Sequence, residues 1–143
     1  MAKQYPAGTA YHEAGHAVVG HALGLRVQGI HINEHDEGGG AHIECAAKLS
    51  FVEQAALRLA GMKAQTMWKQ ESALPLGEDD NKRFVMQCSN LSNECREAIR
   101  MRAFELAGEK LEKHAGAVEA VAKHLIMHGK MTQAEFETVM GAQ

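Results

Sequence analysis

Cysteine is scarce in this chain of 143 residues: Cys45, Cys88 and Cys95 leave an odd thiol in any pairing scheme. On one helix Cys88 and Cys95 would be two turns apart, too distant for a disulfide. A disulfide scaffold is therefore excluded and a reducing compartment is expected. Aromatic residues make up only 5% of the chain, while Ala, Leu and Met are common, which favours helix. No run approaches the length of about 18 apolar residues needed to span a bilayer. The stretch from Met1 to Pro6 holds no apolar core of a signal peptide, so a cytoplasmic chain with no membrane partner is expected. Excess positive charge is missing too. The formal net charge is −3 and no patch of Lys and Arg stands out, which argues against broad binding to nucleic acid or to anionic membrane. No repeat, low-complexity tract or linker interrupts the chain, and its length suits one domain over residues 1–143 with a single core.

What the chain does have, near its start, is His12-Glu13-Ala14-Gly15-His16. Residues four apart on an α-helix lie one above the other, so the imidazoles of His12 and His16 can reach one metal ion together. Glu13 projects about a quarter-turn away from His12, placed to take a proton from a metal-activated water without being a ligand. The neighbours support a helix: Ala10, Ala14, Ala17, Val18, Ala22 and Leu25 recur at spacings of three and four. Pro6 and Gly8 mark the preceding turn, Thr9 is the expected cap, and Gly24 can supply the left-handed residue that ends the helix.

Further along, residues 25–33 read as a strand with Val27, Ile30 and Ile32 as its apolar positions and Gly29 as a bulge. After a charged, glycine-rich turn over residues 34–40, residues 41–46 return as a second strand, making a hairpin. Placed directly after the metal helix, it would either offer an exposed strand edge on which an extended peptide can add by backbone hydrogen bonding, or serve only to cover the core. Ser50-Phe-Val-Glu53 is a capping box opening a helix to about Trp68. Trp68 and the methionines are expected in the core. Phe84, Cys88, Leu91 and Cys95 recur at helical spacing, with Asp79 and Asp80 at that helix start and a break at residues 89–93. A long helix to about Lys113 follows, then a third apolar stripe ending at His128-Gly129. Thr132-Gln-Ala-Glu135 is a second capping box before a short terminal helix. His31, His35 and His42 read as solvated positions in or near the hairpin, and His114, His124 and His128 as helix-end residues.

A catalytic zinc keeps three protein ligands and one open position. A third His at the extended spacing is ruled out, because Val19 and Ala22 stand where Gly and His would be needed. Glu34, Glu37 and Glu44 are candidate carboxylates from the hairpin; of three Asp residues, two form the pair Asp79-Asp80.

The run from Tyr11 to Gly20 closely resembles the peptidase domain of the FtsH family of ATP-dependent zinc metalloproteases. Leu59-Ala-Gly-Met-Lys-Ala-Gln65 sits where that family has a Gly-Gly-Arg-Ala-Ala-Glu run, with Gln65 in place of its Glu. Gly77-Glu-Asp-Asp-Asn-Lys-Arg-Phe84 resembles the family's Asp-containing helix start, with Asn81 where an apolar residue is usual, and there the Asp supplies the third zinc ligand. The resemblance implies a mainly α, zincin-like metallopeptidase domain with a small β-hairpin beside the metal helix. Helical phase selects between the two Asp residues. Four, eight and eleven residues after Asp80 stand Phe84, Cys88 and Leu91, all apolar; after Asp79 stand Arg83, Gln87 and Asn90, all polar. Asp80 is the expected ligand and Asp79 the reserve or outer partner.

The resulting expectation is a zinc-dependent endopeptidase in which His12, His16 and Asp80 hold Zn²⁺ and Glu13 is the general base. No Gly-rich loop ending in Lys-Ser or Lys-Thr appears. Without such a motor the chain would act on flexible or unfolded polypeptides, or on segments delivered by a separate ATPase or other partner. The competing expectation is a non-catalytic peptide-binding or regulatory domain that retains a structural zinc site.

Overall fold

The computed structural model describes residues 4–34, 38–44, 48–71 and 77–142. The elements run α1 (Ala7–Ala22), β1 (Val27–Ile32), β2 (Gly39–Ile43), α2 (Phe51–Met67), α3 (Glu78–Gln87), α4 (Asn93–Lys113), α5 (Ala115–His128), β3 (Lys130–Thr132) and α6 (Gln133–Gly141). The protein is mainly helical with one small antiparallel sheet. Among the described residues no helix is long and apolar enough to cross a membrane.

The first helix is the centre of the packing. Ala10, Ala14, Ala17, Val18 and Val19 are fully buried, and α1 touches α2, α4, α5 and the β1–β2 hairpin. Small side chains let neighbours come close: a Cβ placed on Gly15 would stand 2.6 Å from the Ala64 Cβ and 2.7 Å from the Ala60 carbonyl oxygen. Only glycine permits α1 and α2 to cross at that distance. The helix begins at Ala7, three residues earlier than a cap at Thr9 would place it. Pro6 occupies the N-cap position, and Thr9 lies buried inside the first turn rather than capping it. A proline, with φ fixed and no N–H to orphan, starts a helix without needing a side-chain cap. At the other end Gly24 has φ +88°, the left-handed conformation that releases the chain toward β1.

The hairpin forms as the alternation predicts, with Val27, Ile30 and Ile32 buried and a bulge between Val27 and Gly29. Its second strand, Gly39–Ile43, begins earlier than expected; the expected extension to Cys45 and Ala46 lies outside the described residues. The sheet also has a third member. Lys130–Thr132 pairs antiparallel with β1, giving the order β2-β1-β3 and making β1 the central strand. Both capping boxes are present, Ser50 with Glu53 and Thr132 with Glu135, and Gly129 ends α5 with φ +75°. Cys88 and Cys95 fall on separate elements: Cys88 caps the end of α3 and is buried, Cys95 lies exposed in α4, and both are free. Trp68 is only half buried, stacked on Tyr11 at 5.9 Å with its Nε1–H donating to Glu119.

Candidate metal centre

Helix α1 presents His12 and His16 from one face, with Nε2 atoms 3.1 Å apart. Helix α3 brings Asp80 to the same point, its Oδ2 standing 3.1 Å from each Nε2. His12, His16 and Asp80 thus meet at a triangle of near-equal sides, although Asp80 is 68 and 64 residues away along the chain. Asp79 lies exposed on the rim. Glu34 is half-buried and Glu44 accepts a hydrogen bond from the Arg26 N–H instead; Glu37 lies outside the described residues. Phe84 and Cys88 are fully buried, so the helix phase that seats them in the core turns Asp80 inward with them.

Whether the triangle suits a cation depends on which atoms carry hydrogen. His16 Nδ1 lies 2.9 Å from the Leu57 carbonyl oxygen, which only accepts, so Nδ1–H donates and Nε2 keeps its lone pair when the ring is neutral. His12 Nδ1 lies 2.7 Å from Gln65 Oε1. The orientation of that amide is fixed from its other end, because Gln65 Nε2 donates to the Gln70 carbonyl at 3.0 Å. Gln65 therefore accepts from His12, and the His12 Nε2 lone pair faces the triangle as well. Two imidazole lone pairs and a carboxylate oxygen converging within 3.1 Å repel one another unless a cation sits among them. For zinc at about 2.0–2.1 Å from each donor, tetrahedral ligands lie about 3.3–3.4 Å apart, so the three atoms need move only a few tenths of an ångström. The residues present fit the ion.

Helix α2 builds the support for both imidazoles from one stripe. Leu57, Gly61 and Gln65 are four apart: the first receives His16, the last receives His12, and Gly61 makes room between them. A Cβ on Gly61 would lie 2.6 Å from both Cε1 and Nε2 of the His12 ring. These supporting roles were not visible in the sequence, where Gln65 stands only as a departure from a motif. The signal that carries them is the four-residue spacing itself.

The centre opens into a cleft of about 400 Å³. His12, Glu13, His16 and Asp80 form its floor, Leu57 and Arg58 one side, Asp79 and Arg83 another, and Gly39, Gly40, Ala41 and Ile43 of β2 the wall. Glu13 is buried beside the two imidazoles, and its carboxylate, with the ring nitrogens of His12 and His16, makes a grouping able to hold a cation. Asp80, rather than Glu13, completes the close triangle with the two imidazoles. On the opposite, solvent side of the hairpin His31 and His42 stack at 5.1 Å with Nδ1 and Nε2 3.1 Å apart; His35 lies outside the described residues. His21 packs edge-on against Phe136, away from the centre.

With no metal bound, hydrogen bonds and charge hold the same triangle together. Burial alone would raise the Asp80 carboxyl, but the hydrogen bonds and charges of His12 and His16 outweigh it and hold the group well below the usual carboxylate range. Burial would likewise lower His16, yet the Asp80 hydrogen bond and charge, with Glu13 behind them, raise it above 6.5. For the metal-free protein the signs follow by linkage. The Asp80 contribution is present above its ordinary 3.8 and is lost as pH falls toward its depressed value. The His16 contribution is present below 6.5 and is lost as pH rises through its elevated value. Thermal melts in chelator should therefore show greatest stability between about pH 4 and 6.5, declining on both sides. Asp80→Asn should remove most of that dependence.

No known family model matches the chain, and no characterised protein matches it closely enough to count as a relative.

Proposed function

We propose that this protein is a zinc-dependent endopeptidase acting on flexible or unfolded polypeptides. The observation that carries the reading is the triangle of three lone-pair donors with a buried carboxylate beside it, at the floor of a cleft walled by a strand edge. The resemblance of residues 11–20 to the FtsH peptidase motif supports the same reading. Zinc bound by His12, His16 and Asp80 would supply Lewis acidity to the scissile carbonyl and to the attacking water. Glu13 takes the proton from that water and hands it to the departing amine. Gln65 and the Leu57 carbonyl hold the two imidazoles in the tautomer that keeps each Nε2 available. The outer side of β2 has no strand paired to it among the described residues, and its glycines leave the backbone open. A substrate laid there in extended form would add as a fourth strand, its carbonyls running past the centre. Folded proteins cannot present such a segment. A delivery partner or separate ATPase would widen the substrate range.

The test is metal analysis of the purified protein followed by incubation with casein. One zinc per chain is expected, with casein cleaved, cleavage stopped by chelator and restored by added zinc. Stoichiometric zinc with no cleavage in any condition would replace the reading with that of a non-catalytic peptide-binding domain.

A further inference from the structure

Two arginines enter the cleft next to groups that build the centre. Arg58 directly follows Leu57, whose carbonyl holds His16. Arg83 lies three residues after Asp80, adjacent to it on the surface of α3, and both line the cleft. Their surroundings differ in a useful way. Arg58 donates through Nε to Gln87 Oε1 at 3.0 Å, and Gln87 Nε2 is itself anchored on the Phe51 carbonyl at 3.2 Å. That relay fixes the plane of the guanidinium and leaves its terminal NH₂ groups as the donors it can offer a ligand. Arg83 is exposed, and no carboxylate among the described residues lies within ion-pairing distance of it, including Asp79 one turn behind.

The charge count points the same way. Two arginines and a divalent ion supply four positive charges to the cleft, while Glu13, Asp79 and Asp80 supply three negative. A loaded centre is therefore left with one positive charge in excess, carried by forked donors whose geometry matches a carboxylate.

We propose that Arg58 and Arg83 form a carboxylate-binding subsite of this cleft, selecting polypeptides that carry an acidic side chain or a free chain terminus close to the scissile bond. The chemistry recognised is the carboxylate, whichever source provides it. The subsite deepens the peptidase reading, resting on it for the bond that is cut but not for the binding itself.

Binding and cleavage separate the two. Fluorescence anisotropy with zinc-loaded Glu13→Gln protein compares a Glu-containing peptide with its Gln twin, and a free-acid peptide with its C-terminal amide. At low salt the acidic member of one pair should bind about tenfold more tightly; the pair that shows the difference names the source. The preference should vanish in Arg58→Ala/Arg83→Ala and reverse in Arg83→Glu, with thermal melts verifying that each variant folds. If Arg58 is needed for folding, Arg83→Glu alone carries the test. Equal affinities within both pairs, or a preference that survives loss of both arginines, overturns the subsite. Cleavage of casein by the wild-type protein without any preference sinks the subsite and leaves the peptidase standing. A preference in binding with no cleavage by the wild-type protein does the reverse.

Discussion

Glu13→Gln is expected to retain one zinc per chain while lowering the rate of polypeptide hydrolysis by about 10²–10⁴-fold, the usual contribution of a positioned general base. The amide is nearly isosteric, so the buried site beside His12 and His16 should keep its shape. Only the capacity to accept a proton is lost. His12→Ala is the complementary change. It removes one corner of the 3.1 Å triangle and leaves Gln65 without its imidazole, so zinc and hydrolysis should disappear together. Metal content by atomic spectroscopy, read beside casein turnover, distinguishes the two variants. Wild-type cleavage by Glu13→Gln would remove Glu13 from the base role. Full zinc retention by His12→Ala would remove His12 from the ligand set.

The second large effect is expected from a single methyl group. On helix propensity alone, Gly61→Ala in α2 should stabilise the protein by about 1 kcal/mol. The structure predicts the opposite. The new Cβ would sit 2.6 Å from His12 Nε2, and relieving it to an ordinary contact of at least 3.4 Å must displace the ring or the helix. Overpacking of this kind costs about 1–3 kcal/mol, and a misplacement near 1 Å at a reacting centre can cost about 10²-fold in rate. His12 has little room to yield, being held through Nδ1 by Gln65 and facing Asp80 and His16 with Nε2. Denaturant unfolding in chelator measures the first effect and zinc titration with casein turnover the second. A Gly61→Ala protein that is more stable and binds zinc as before would show that the imidazole is not confined as described.

Much of this arrangement is legible in the chain, and the parts that are not have separate physical causes. The helix carrying His12 and His16 follows from local periodicity, and both capping boxes are short-range signals that nothing distant overrides. The start of α1 is misplaced by three residues because a side-chain cap at Thr9 competes with the fixed φ of Pro6, and the proline wins. Strand β3 is invisible for another reason. Three residues, Lys130, Met131 and Thr132, are too few to show alternation, and they become a strand only because β1 offers them a partner. The pairing of Gln65 with His12 is the same kind of fact, created where two helices cross. Asp80 sits between these cases. Helical phase separates it from Asp79, since burial of Phe84 and Cys88 fixes which side of α3 faces in. Its distance to the imidazoles is a property of the fold.

Helix α3 has ten residues, shorter than a helix that holds together unaided in water, and Phe84 is its only fully buried side chain. On the proposed reading it also contributes the carboxylate that closes the grip on the ion. Seating this segment and capturing the cation are then one equilibrium viewed from two ends. Whatever loosens the segment weakens the grip by the same free energy, and an occupied centre clamps the segment in return.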